Sequence, residues 1–172
     1  MLKVIAITII FISSSYIGIY YGESFKKRTK QLQHILKAII YLNNEVIYSN
    51  TPLPEALNTI SKKVEDPISN ILYKVALRLE KGESISVYDA FKNEYNENKN
   101  SFNLLNDDKY LIKDFLKGLG ESGIYGQDKL FNLTIENMKI NCGAAEELGK
   151  KNSKMYSALG LCIGAMIAIF LV

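Results

Sequence analysis

The stretch "NTPLPEALNTISKKVEDPISNILYKVALRLEKG", Asn50 to Gly82, decides the fold. Thr51 offers a hydroxyl to cap a helix, Pro52 suits a first turn where a missing N–H is no loss, and Glu55 lies near the positive end of the helix dipole. Leu53, Ala56, Leu57, Ile60 and Val64 then recur at three and four residues, the period of a one-sided apolar helix. Asp66 and Pro67 repeat the start signal. Ile68, Ile71, Leu72, Val75 and Leu79 follow, and Gly82 stops the pattern. Two short helices are predicted, with Pro52 and Pro54 directing the approach to the first of them.

Working outward, Leu32, Ile35, Leu36, Ile39, Leu42, Val46 and Ile47 form the face of a preceding helix that ends near Ser49 and Asn50. Downstream, Ser86 with Asp89 reads as a capping box before Val87, Ala90, Phe91 and Tyr95. The Asn-rich "NENKNSFN", residues 96–103, reads as a loop. A fifth helix is expected over about Asp107 to Leu119, with Leu111, Phe115, Leu116 and Leu119 on one side. The glycines of "GLGESG", residues 118–123, read as a breaker. A sixth helix carries Leu130, Thr134, Ile135, Met138, Cys142, Ala145 and Leu148. No alternation of the strand kind occurs, so the fold class is all-α, a bundle of about six helices.

The ends differ in kind from this amphipathic middle. "VIAITIIFISSSYIGIYYG", Val4 to Gly22, and "MYSALGLCIGAMIAIFLV", Met155 to Val172, hold no acidic or basic side chain. Each is near the ~20 residues a helix needs to cross a bilayer. A cleaved signal would explain the first, but no Ala-x-Ala site follows, and Lys26, Lys27, Arg28 and Lys30 come straight after it. Three regions result: a transmembrane helix over 1–22, a helical bundle over 23–154, and a transmembrane helix over 155–172. Both spans carry small residues at four-residue spacing, Ser14, Gly18 and Gly22 in the first and Gly160, Gly164 and Ala168 in the second. Such stripes let another helix backbone approach closely.

Basic residues flank the spans on the bundle side, with Lys150, Lys151 and Lys154 before the second, so the bundle is expected in the cytoplasm and both termini outside. Residues 23–154 hold 20 basic and 18 acidic side chains, a balance of +2 that implies no nucleic-acid surface. The basic flanks suit anionic lipid headgroups instead. Cys142 and Cys162 fall on opposite sides of the expected membrane boundary and cannot bridge within one chain.

Nothing in the chain has catalytic spacing. His34 is the one histidine, and no Cys or carboxylate set has metal-ligand spacing. Neither a phosphate-cradling glycine loop nor a nucleophile elbow is found. The adjacent acids Asp107–Asp108 and Glu146–Glu147 read as solvated charge. No enzyme, cofactor or metal is expected.

Residues 50–91 with "LGESGIYGQDKLFN", residues 119–132, resemble the cytoplasmic domain of the type II secretion and type IV pilus inner-membrane platform family. The matching elements are Leu53-Pro54-Glu55-Ala56-Leu57, Gly82-Glu83-Ser84-Ile85 with Asp89-Ala90-Phe91, and Gly120-Glu121-Ser122-Gly123. The second element departs by two inserted residues before Asp89, and only one of the family's two such domains is matched. A closer resemblance covers nearly the whole chain. The Met1-Leu2-Lys3 start, Tyr48-x-x-Thr51-Pro52-Leu53-x-Glu55-Ala56-Leu57 and Lys154-Met155-Tyr156-x-x-Leu159-Gly160 resemble the stage III sporulation protein AB family of endospore-forming bacteria.

That resemblance implies a membrane scaffold of the secretion-like channel between mother cell and forespore, in the mother-cell membrane, beside a cytoplasmic secretion-type ATPase and other channel subunits. A homo-oligomer stays open. Thr51, Pro52, Pro54, Glu55, Gly120, Glu121, Ser122 and Gly123 are candidates for partner contact or for local structure alone. The alternative is a regulatory membrane protein whose cytoplasmic helices bind a soluble signalling partner.

Overall fold

The computed structural model describes residues 2–121 and 124–171, with the side chains of 2–7, 120, 121, 124, 125 and 171 outside the description. Its α-helices are α1 (Leu2–Asn43), α2 (Leu53–Ser61), α3 (Ile68–Glu80), α4 (Val87–Glu97), α5 (Asn106–Glu121) and α6 (Ile124–Leu171). Among the described residues there is no strand, so the all-α expectation of about six helices holds. The chain divides into two units, Lys30–Cys142 and a second made of Met1–Thr29 with Gly143–Val172.

In the first unit, Leu32, Ile35, Ala38, Ile39 and Leu42 are the buried stripe of α1. Val46 and Ile47 of the expected stripe fall in a π-helical turn, Asn44–Tyr48, whose wider winding lets the Ser49 N–H donate to the Asn44 carbonyl at 3.1 Å. Asn50, at φ 51°, then turns the chain toward α2.

The start of α2 corrects one expectation. Its N-cap is Pro52, not Thr51, and no side chain caps it. The Thr51 hydroxyl donates instead to Glu45 Oε2 at 3.2 Å, and the Thr51 N–H to the Glu45 carbonyl at 2.9 Å, so both polar groups are committed back to the π-helical turn. Pro54, at the second helical position, and Glu55 lie in the first turn, where a missing N–H leaves no bond unmade.

Helix α3 likewise starts one residue later than expected, with Pro67 as its N-cap. Asp66 Oδ1 still accepts from the Asn70 N–H at 3.2 Å. At its far end Gly82 adopts φ 68°, which places its N–H on the Leu79 carbonyl (3.1 Å) and the Glu83 N–H on the Arg78 carbonyl (2.9 Å). These two bonds satisfy carbonyls that a helix end otherwise leaves open. For α4, Ser86 Oγ accepts from the Asp89 N–H at 3.1 Å and donates to Asp89 Oδ2 at 2.7 Å. Glu94 is 3% exposed and is held by Arg78 and, at 3.4 Å, by Lys74, which ties α3 to α4.

The Asn-rich segment is more ordered than its composition suggests. A 3-10 turn, Lys99–Ser101, is clamped to α1 by Gln31, which donates to the Ser101 carbonyl and accepts from the Asn103 N–H, each at 2.8 Å. A second correction follows at α5. Asp108 is fully buried rather than solvated: its carboxylate accepts from the Leu105 N–H at 2.9 Å and from Asn141 Nδ2 at 3.2 Å. It thus caps α5 and joins α6 at once.

The breaker reading of "GLGESG" also fails over its first half. Helix α5 continues through Gly118 and Gly120 to Glu121, while Ser122 and Gly123 lie outside the described residues. Gly118 serves packing, since a β-carbon there would meet Leu130 Cδ2 at 2.8 Å. Phe131, the largest fully buried side chain, stacks edge-on to Phe115 at 5.1 Å and joins Thr134, Met138 and Cys142 on the buried face of α6. Leu148, counted on that face from spacing, is 42% exposed.

Candidate functional site

The second unit is a helix pair. Residues 8–29 of α1 run against residues 143–170 of α6 in opposite directions, and small side chains line the seam. A β-carbon on Gly22 would stand 2.8 Å from the Ser153 carbonyl oxygen, and one on Gly160 2.9 Å from the Ser14 carbonyl oxygen. Gly164 faces Phe11 and Ser14. Ser14 Oγ donates to the Gly160 carbonyl at 2.9 Å, and Thr29 Oγ1 to the Ala145 carbonyl at 2.9 Å. Aromatic rings flank the glycines, with Tyr156 stacked on Phe25 at 5.6 Å and on Tyr21 at 6.3 Å.

The structure brings together Ser14, Gly18, Gly22, Gly160 and Gly164, and places Ala168, half-buried, one turn further along α6. Spacing alone missed Gly149, Ser153 and Ser157, a second four-residue series on α6 that ends three residues before Gly160, and Thr29, whose hydroxyl faces Gly149. Allowing a three-residue step, which keeps to the same helix face, would have found the α6 series and, seven residues after Gly22, Thr29.

The outer surface of the pair is apolar. Ile9, Ile12, Ile17, Ile163, Ile169 and Phe170 are each about half exposed or more. Among the described residues one helix, over Gly126–Phe170, is long and apolar enough to cross a membrane, and only 17% of its most apolar stretch is buried. The expected N-terminal span begins in residues whose side chains lie outside the description, and its part from residue 8 to 22 is helical within α1.

The remaining candidates are dispersed. Thr51, Pro52, Pro54 and Glu55 occupy the start of α2, with Pro52 and Glu55 exposed. Gly120 and Glu121 end α5. His34 Nδ1 accepts from the Glu65 N–H at 3.4 Å, a structural contact. No group of three metal-binding side chains occurs among the described residues.

The family profile described as stage III sporulation protein AB matches residues 3–172. The chain belongs to that family. The stage III sporulation protein AB of Bacillus subtilis (strain 168) is 25% identical over 171 residues, 99% of each chain. A solved structure of stage III sporulation protein AB (SpoIIIAB) superposes with a TM-score of 0.66 at 24% identity, covering 72% of this chain and 96% of that one. The family's fold is therefore this helical one.

Proposed function

We propose that the chain is a non-enzymatic membrane scaffold of the channel complex that endospore formation requires, with its terminal helices in the bilayer and the bundle on the cytoplasmic side. The observation that carries the reading is the inverted surface of the terminal pair. Isoleucine, phenylalanine and tyrosine face outward, while glycine and serine face the seam. In water that arrangement exposes what should be buried. In lipid it is the favourable one, because helix pairs there gain from close backbone contact rather than from hiding apolar side chains.

The exposed Lys26 and Lys27 on one helix and Lys150, Lys151 and Lys154 on the other then lie at the cytoplasmic boundary, beside anionic headgroups, whereas Arg28 is buried. The bundle would dock a secretion-type ATPase or neighbouring subunits, as the resemblance to secretion platforms suggests, and its capped, short-looped helices suit a rigid docking body.

The test is recovery of partners. The full-length tagged chain, extracted in mild detergent from sporulating cells, is expected to retain a secretion-type ATPase and other channel subunits. Recovery of a soluble signalling protein in their place would replace the scaffold with a regulator.

A further inference from the structure

Between α4 and α5 the bundle carries a groove of about 150 Å³ whose walls are Phe91, Tyr95, Leu104 and Ile112. It is too small for a drug-sized ligand, whose sites run to roughly 300–1,000 Å³, and fits one large apolar side chain. Lys92, Lys109 and Lys113 stand at its rim. Tyr88 also lines it and carries Lys117 over its ring at 5.2 Å.

The charges around this groove are lopsided. On α4, Glu94 and Glu97 are engaged by Arg78, and Asp89 by the Ser86 cap. On α5, Asp108 is buried. Asp107 and Asp114 are exposed but do not line the groove. None of the four lysines forms an ion pair among the described residues. An apolar slot with an ammonium rim and no carboxylate among its lining residues is complementary to an apolar anchor flanked by acids.

We propose that this groove docks an amphipathic segment of a partner protein, one that inserts a single leucine- or phenylalanine-sized side chain and sets carboxylates against Lys92, Lys109 and Lys113. The proposal rests on the reading of the bundle as a docking body, and adds the face used and the partner's chemistry. Apolar burial supplies the anchor and the lysines orient it, so salt should weaken docking without abolishing it.

The test places a photo-crosslinking phenylalanine analogue at Tyr88 in the full-length chain in sporulating cells and sequences the adduct. A cross-linked peptide from another protein, with a large apolar residue within one helical turn of two or more carboxylates, is expected. Lys109→Glu with Lys113→Glu should lower its yield about tenfold. Lys109→Arg with Lys113→Arg should keep the yield, and equal amounts of the chain in membranes show that folding is intact. Adducts only with phospholipid, only with a second copy of the chain, or of unchanged yield in the Glu variant would overturn the proposal. Channel subunits that still co-purify without such an adduct would leave the scaffold reading standing and remove this face from it.

Discussion

A β-carbon added to Gly18 would lie 2.8 Å from the Gly160 Cα, and one added to Gly160 would lie 2.8 Å from the Gly18 Cα. Because the neighbours are backbone atoms, no rotamer change relieves either clash. The helices must separate.

Gly160→Leu combined with Gly164→Leu is therefore expected to leave insertion intact, since the helix becomes more apolar, while the pair opens. A loss of one to two kcal/mol of helix association, about tenfold in the equilibrium, should appear as reduced recovery of channel subunits. Membrane flotation checks the first outcome and co-purification the second. Wild-type recovery would make the second helix an anchor alone.

Topology is checked by thiol labelling. Asn98 is the obvious loop position, yet its side chain donates to the Glu94 carbonyl at 2.8 Å and closes α4, so the exposed Asn100 is the better choice. With Cys142 and Cys162 replaced, Asn100→Cys should resist an impermeant thiol reagent in intact cells and react after permeabilisation. Labelling in intact cells would reverse the orientation.

Glu94 holds two cations with a carboxylate that is 4% exposed. Glu94→Gln leaves Arg78, 27% exposed, with Glu97 and water, and Lys74, 39% exposed, with water, which keeps the cost below that of a wholly buried pair. A loss of about 2 kcal/mol is expected, read as a fall in Tm of about 4–8 °C for the full chain in detergent. An unchanged Tm would mean that the pairing adds nothing.

Neighbouring acids should behave oppositely. Asp108→Ala removes the cap of α5 and strands Asn141, costing about 1–3 kcal/mol. Asp107→Ala, at an exposed position, should change stability by less than about 0.5 kcal/mol. Thermal unfolding of the two variants side by side decides it.

The Glu65 carboxyl is held below its ordinary range, chiefly by its hydrogen bond and ion pair with Lys30 at 2.6 Å. A lowered carboxyl pKa contributes stability above the unfolded value and loses it as pH falls through the folded one. Both side chains are more than half exposed, so the effect is small and sensitive to salt. The Tm difference between wild type and Glu65→Gln should be present near neutral pH and vanish in acid. A difference that persists in acid would assign it to packing.

Much of this was legible in the residues because local chemistry decided it. Gly82 ends α3 and Ser86 caps α4 through bonds to near neighbours. What escaped depends on distant partners. Asp108 reads like Asp107 until Asn141 arrives from α6, and Gly118 reads as a breaker until Leu130 occupies the space its missing side chain leaves. Thr51 departs from its local signal for a subtler reason: the π-helical turn before it, which spacing does not announce, brings Glu45 within reach. The stripes of α1 and α6 were visible as stripes, but their pairing belongs to the folded chain.

The seam also has the character of a track. Sliding α6 along α1 by four residues, roughly 6 Å, would set Gly18 against Gly164, Gly22 against Gly160 and Ser14 against Ala168, small again facing small. The glycines choose which faces meet and leave the register undetermined. Such a slip would exchange the Ser14 bond to the Gly160 carbonyl for the equivalent one to the Gly164 carbonyl, but would carry Tyr156 from between Tyr21 and Phe25 to between Phe25 and Thr29, so that its stack on Tyr21 is lost. The ring contact of Tyr156 with Tyr21 thus acts as a detent on this ratchet, and Tyr156→Ala would free it to click.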